Sequence, residues 1–241
     1  MDGKGSYGFD TLVIHAGQAA REWQGGTLAP IFQTASHLHA TAENLSQTFA
    51  GMTSDHIYMR LTNPTNRILE EKLTALEGGQ GAVVMSSGMA AIANACLALL
   101  RTGDEFVTGN SLFMSTYQLF TKVFVKYGIT ARLVESTDTD AIERAINEKT
   151  RFVYLETIGN PKMDIPDLKR AAEAAHGQGV PLVVDNTLAT PYLCRPFELG
   201  ADVVVHSTTK YLSGHGQAVG GVVIDRGRFD WTQKRFPDFK P

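Results

Sequence analysis

The run Ala201-Asp202-Val203-Val204-Val205-His206-Ser207-Thr208-Thr209-Lys210 carries an apolar strand into a hydroxyl-rich turn that ends on a lysine. An amine at the end of an apolar strand is expected to lose hydration. That penalises its charged form, lowers its pKa from about 10.4 and leaves neutral amine for Schiff-base chemistry. Ser207 and Thr209 precede the lysine and are placed to hydrogen-bond a phosphate beside it. Val183-Val184-Asp185-Asn186-Thr187 is a second apolar strand ending in a carboxylate, and a protonated pyridine nitrogen is a natural partner for such a group. Ser86-Ser87-Gly88-Met89-Ala90 joins another strand to a helix, whose first-turn N–H groups have no intrahelical acceptor and can hold a phosphate. A lysine, a carboxylate and phosphate-binding turns at separate strand ends outline a site for a phosphorylated pyridine aldehyde.

Such a site needs a scaffold that brings strand ends to one edge. From about residue 66 onward, strand and helix patterns alternate with short Gly-containing turns, the sequence form of a βαβ series and so of a mostly parallel sheet covered on both faces. The pattern predicts strands over 82–85, 105–108, 131–134, 152–155 and 182–185. It predicts helices over 68–76, 88–101, 115–127 and 139–148, and another after Pro166. Residues 1 to about 60 break this rhythm. They are rich in Gly, Thr, Ser and His, show only weak periodicity around 42–49, and read as an extended arm. The expected organisation is therefore an N-terminal arm, 1–60, and one α/β domain, 61–241.

Composition narrows the function classes. With 241 residues and 43% hydrophobic content the chain can bury a full core. A net charge of −3 provides no basic face for nucleic acid and no polybasic anchor for a membrane. Met1 to Ser6 lacks the apolar core of a signal peptide, and the apolar run from Met89 to Leu100 is short and interrupted by Asn94, so a cytoplasmic protein is expected. Cys96 and Cys194 share no metal-ligand or CxxC spacing and the seven histidines form no HExxH pattern, so no metal is expected. The GxGxxG spacing of a dinucleotide site is missing from the Ser87-Gly88 turn, which argues against a nicotinamide enzyme.

The Ser207–Lys210 segment resembles the lysine motif of the Cys/Met-metabolism family of pyridoxal phosphate enzymes, which includes cystathionine synthases and lyases, methionine γ-lyase and O-acetylhomoserine sulfhydrylase. The likeness runs through nearly the whole chain and implies a fold-type-I large domain. It implies pyridoxal 5′-phosphate bound to Lys210, with Asp185 on the ring nitrogen and Ser87, Gly88, Met89, Ser207 and Thr209 around the phosphate. Tyr58 and Arg60, in Ile57-Tyr58-Met59-Arg60-Leu61-Thr62-Asn63-Pro64, are similar to the family's arm motif. There a tyrosine and an arginine two residues apart reach the phosphate of a neighbouring subunit. That implies a homo-oligomer, a dimer with shared sites and a tetramer built from it. Asn160, in Glu156-Thr157-Ile158-Gly159-Asn160-Pro161, resembles the asparagine that touches the cofactor ring oxygen. Phe113 stands where many relatives carry a tyrosine stacked on the ring. The phenyl group keeps the stacking and loses the acidic hydroxyl.

The stretch Gly227-Arg228-Phe229-Asp230-Trp231 with Phe236-Pro237, and Phe9-Asp10-Thr11-Leu12 near the start, resembles the O-acetylhomoserine sulfhydrylases within that family. The implied reaction is γ-replacement. Lys210 acts as base at Cα, a leaving group such as acetate departs from Cγ after Cβ deprotonation, and sulfide or a thiol adds to the unsaturated product to give homocysteine or methionine. A γ- or β-lyase of the same family is the alternative. Because the family continues into a C-terminal domain with an arginine for the substrate carboxylate, a cofactor-binding fragment ending at Pro241 is a third reading.

Overall fold

The computed structural model describes residues 7–18 and 25–239; the reading of residues 1–6 and the Pro241 terminus lie outside the described residues. Its contacts divide the chain into two units, Met1–Leu76 and Glu77–Pro241.

In the first unit, helices α1 (Phe9–His15) and α2 (Ala42–Phe49) stand in a segment that reads from sequence as extended chain. The start of α2 is explained by Thr41, whose Oγ1 accepts the Asn44 N–H at 3.1 Å. Extended chain is found only as far as Tyr58, where Ser36 and Tyr58 form an antiparallel bridge flanked by His37 N–H to Ile57 O and Met59 N–H to Ala35 O, both 3.0 Å; a turn over residues 59–61 follows. Helix α3 (Pro64–Glu77) begins on proline, a residue suited to the first helical turn, and leads into the second unit.

The second unit is built on seven strands: β1 (Gly81–Met85), β2 (Glu105–Gly109), β3 (Thr130–Val134), β4 (Thr150–Glu156), β5 (Leu182–Asp185), β6 (Val203–Ser207) and β7 (Gly221–Asp225). They pair in the order β1-β7-β6-β5-β4-β2-β3, parallel except for β7, which runs antiparallel to both its neighbours. Between them lie α4 (Gly88–Leu99), α5 (Met114–Gln118), α6 (Thr139–Ala145), α7 (Leu168–Gly177) and α8 (Thr190–Leu193). The central strands β4 and β5 are buried along nearly their whole length, as expected for unbroken apolar runs in a sheet covered on both faces. Their core is aromatic. Phe106 stacks on Phe152 at 4.9 Å between ring centroids and meets Phe120 edge-on at 4.7 Å, while Phe120 meets Tyr154 at 5.1 Å.

Two helices differ from the sequence pattern. The segment 115–127 is not one α-helix: α5 is followed by a π-helical turn, Leu119–Val123, and a 3-10 turn, Phe124–Tyr127. Changing the helical pitch lets Phe120 and Phe124 stack on each other, centroids 5.8 Å apart, and both face Phe106. Helix α6 stops at Ala145, short of 148, because Asn147 turns the chain there. Its N–H donates to Thr150 Oγ1 at 2.9 Å, and its side-chain oxygen accepts the Lys149 N–H at 2.7 Å.

Parallel pairing of β4, β5 and β6 brings Glu156, Asp185 and Ser207 to the same sheet edge, with Glu156 directly opposite Asp185. The antiparallel β7 lies between β6 and β1, so the β1–α4 turn opens on that edge too. Gly221, at the start of β7, passes so close to this turn that a Cβ would lie 2.1 Å from the Ser87 carbonyl oxygen. Gly221→Ala is therefore expected to cost about 1–3 kcal/mol of stability, because backbone must shift to admit the methyl group. Urea unfolding would measure the loss.

Candidate active site

A cavity of about 690 Å³ opens at this edge. Of the residues anticipated from sequence, Ser87, Gly88, Met89, Phe113, Asn160, Asp185, Ser207, Thr209 and Lys210 all line it.

The β1–α4 turn forms one wall. Ser87 is the helix N-cap, its Oγ accepting the Ala90 N–H at 3.0 Å. The hydroxyl thus closes the first turn, and the N–H groups of Gly88 and Met89, which have no acceptor within the helix, are the donors suited to an anion. Gly88 packs against the end of β6, where a Cβ would fall 2.5 Å from Ser207 Cβ and 2.8 Å from its Cα. Glycine is the residue that permits this approach.

The floor is made by β4 and β5. Asp185 is 8% exposed, and its carboxylate accepts from Thr187 N–H (2.9 Å), Thr187 Oγ1–H (2.5 Å) and Tyr154 O–H (3.3 Å). Burial pushes the Asp185 carboxyl up, against the opposing pull of these donors and of the nearby His206. Thr187 Oγ1 also accepts the Ser207 N–H at 2.8 Å, which ties the end of β5 to the end of β6. Beside Asp185, Glu156 accepts the Phe113 N–H at 2.7 Å, and burial together with the Asp185 charge pushes its carboxyl up to about 8.

Behind the floor lies a fully buried polar network. Glu77 Oε1 bonds His206 Nε2 at 2.7 Å and accepts from Asn186 Nδ2 at 2.8 Å; Asn186 also donates to Cys194 O and accepts the Thr157 hydroxyl. Glu77 and His206 are 129 residues apart in the chain, so no local pattern reports their pairing.

The lysine turn requires a correction. The apolar strand ends at Ser207, and Lys210, three residues further on, is exposed, so the chain does not supply the desolvation expected from sequence. The backbone of this turn is nonetheless held. Thr209 Oγ1 donates to Gly220 O at 3.2 Å and accepts the Gly220 N–H at 3.1 Å, so that hydroxyl orders the turn against the start of β7. Tyr58 and Arg60 belong to the first unit, where both are exposed; the chain turns between them rather than running extended, Leu61 N–H donating to Tyr58 O at 2.8 Å, and the Arg60 guanidinium sits 5.1 Å from the Tyr58 ring centroid.

The sequence profile of a family described as Cys/Met metabolism PLP-dependent enzymes matches residues 10–238. The chain belongs to this family. It is 42% identical over 236 residues to a homocysteine/cysteine synthase of Saccharomyces cerevisiae, covering 96% of this chain and 53% of that protein. It is 45% identical over 229 residues to an L-methionine gamma-lyase of Porphyromonas gingivalis, covering 94% and 56% respectively. A solved structure from Campylobacter jejuni, assigned as an O-acetylhomoserine (thiol)-lyase and containing N′-pyridoxyl-lysine-5′-monophosphate, superposes with a TM-score of 0.89. It is 32% identical, over 93% of this chain and 55% of that one. The chain thus spans about half the length of the relatives it matches.

Pyridoxal phosphate is the cofactor of the family, and the donor set suits it. The cavity offers a buried carboxylate for a cationic ring, helix first-turn N–H groups and hydroxyls for a phosphate, and an amine. Among the described residues no cluster of metal-ligating side chains occurs, and no helix is long and apolar enough to cross a membrane.

Sequence reasoning missed Glu156 as a cavity residue, and missed Thr187 and the Glu77–His206 pair as the supports of Asp185. The signal for Glu156 was present: an acidic residue ending an apolar strand, as at Asp185. Glu77→Ala would leave His206 and Asn186 donors buried without an acceptor, at a cost of about 1–3 kcal/mol for each orphaned group. Glu77→Gln keeps an acceptor and should lose less. Urea unfolding of the two variants checks the order.

Proposed function

We propose that this chain is the cofactor-binding part of an enzyme that carries out γ-replacement on an activated homoserine ester, joining O-acetylhomoserine to sulfide or a thiol to give homocysteine or methionine. The observation that carries the reading is the phenyl ring of Phe113 on the cavity wall, which at that position can stack but cannot protonate a poor leaving group as a tyrosine there would. An ester departs as acetate without that help, whereas a thioether does not. The similarity to a homocysteine/cysteine synthase supports the same choice.

Bound pyridoxal phosphate supplies an electron sink next to the substrate Cα. Around it, the Asp185 carboxylate would accept the ring-nitrogen proton in a hydrogen bond, and the Gly88 and Met89 N–H groups with Ser207 and Thr209 would hold the phosphate. Phe113 would stack on the ring and Asn160 would donate to its oxygen. Lys210 would hold the cofactor and, once freed by the substrate amine, would take the Cα proton. Loss of a Cβ proton would then let the Cγ–O bond break with its electron pair leaving on acetate, and the sulfur nucleophile would add at Cγ as protons return to Cβ and Cα. Tyr58 and Arg60 would complete the phosphate site of a second copy, in a cytoplasmic homo-oligomer. The second reading, a methionine or cystathionine lyase, is favoured by the 45% identity to an L-methionine gamma-lyase.

Borohydride reduction and peptide mapping are expected to place the pyridoxyl group on Lys210, and Lys210→Ala should abolish turnover without unfolding the protein. In the full-length enzyme, products from O-acetylhomoserine plus sulfide should exceed those from methionine or cystathionine, and Phe113→Tyr should raise the thioether rate. Comparable ester and thioether rates in the unsubstituted enzyme would favour the lyase. Arg60→Ala should weaken cofactor binding more than Ser207→Ala, because a charge-assisted bond contributes about 1.5–3 kcal/mol against roughly 1 for a neutral one. Equilibrium binding of pyridoxal phosphate reads that order.

A further inference from the structure

Two carboxyl groups stand side by side on the floor of the cavity, and the cofactor chemistry gives work to only one. Glu156 and Asp185 are register partners at the ends of adjacent parallel strands, are 7% and 8% exposed, and line the same cavity. Among the described residues, no ion pair joins either to an arginine or lysine. Two ionised carboxylates this close in a buried place repel, so the lower-energy state keeps one proton on the pair.

The surroundings decide where that proton resides. Asp185 accepts three hydrogen bonds, two of them from hydroxyls and one as short as 2.5 Å, and nearby His206 also favours its charged form. Glu156 receives only backbone donors, the N–H groups of Phe113 and Asn160. The other titratable groups facing Glu156 do not favour its ionisation: Asp164, on the loop after Asn160, adds a second negative charge, and Tyr154, two residues back on β4, is buried and keeps its proton. Lys210 and His215 line the same cavity from the turn after β6, and no hydrogen bond joins either to Glu156.

We propose that Glu156 and Asp185 act as a carboxyl pair in which Glu156 keeps a proton, so that Asp185 alone presents a negative charge to the cofactor ring while Glu156 holds the Phe113 backbone in place. Glu156 is thus a positioning residue that acts through Asp185 and Phe113. The role rests on Asp185 serving as the ring partner, but the proton itself can be observed without turnover.

Infrared spectra of the full-length enzyme in heavy water provide the test. At pH 7 the unsubstituted protein should show a protonated-carboxyl C=O band that Glu156→Gln removes, and raising the pH should bleach it with a midpoint of about 8. In Asp185→Asn the neighbouring charge is gone, so the same midpoint should fall by about one pH unit or more. A band unaffected by Glu156→Gln, no band at pH 7, or an unmoved midpoint in Asp185→Asn would overturn the proposal. Glu156→Gln, which can still accept from Phe113, should bind pyridoxal phosphate within about threefold of the unsubstituted enzyme, about 0.65 kcal/mol or less; a larger loss would show that the carboxyl does more than hold a proton. If the band behaves as expected and borohydride labels another lysine, the cofactor assignment fails and the carboxyl pair stands.

Discussion

Burying carboxylates at the ends of parallel strands is the constraint around which the second unit is arranged. A charged group in a low-dielectric place must find hydrogen-bond donors or cationic partners, or else give up its charge. Glu77, Glu156 and Asp185 each resolve this differently. Glu77 is bonded by His206 and Asn186, Asp185 collects donors from Thr187 and Tyr154, and Glu156 is pushed toward its neutral form. Together these solutions tie Glu77, β4, β5 and β6 through side chains, in addition to the ladder between the strands.

The same bonds give the cavity its shape. Thr187 is the hinge between two functions, since its hydroxyl donates to Asp185 and accepts the backbone N–H of Ser207. The carboxylate and the start of the lysine turn are thereby held in fixed relation. On the opposite wall, the contact of Gly88 with Ser207 sets the distance between the helix first turn and the β6 end. A phosphate held by both would span two elements that the fold has already docked. Pre-organisation of that kind spares a ligand much of the ordering cost of binding.

Lys210 stands apart from this rigidity. It is exposed, in a turn ordered by Thr209 and Gly220.

Much of this was legible in the chain. Periodicity alone determined the alternation of strands and helices from α3 to β5, because apolar runs and Gly-containing turns are local signals. Residue types at the strand ends also pointed to the cavity wall: Ser87, Gly88, Asp185, Ser207, Thr209 and Lys210 were recognisable before any coordinates, since an acid, a lysine or a cluster of hydroxyls after an apolar run calls for a chemical reason. What only the tertiary structure decided are the relations between distant segments. The broken helix after α5 depends on how Phe120 and Phe124 reach Phe106, the exposure of Lys210 depends on where β6 ends, and the protonation of Glu156 depends on its register with Asp185. Each is set by packing or by an electric field between residues far apart in sequence, and a chain read one window at a time contains neither.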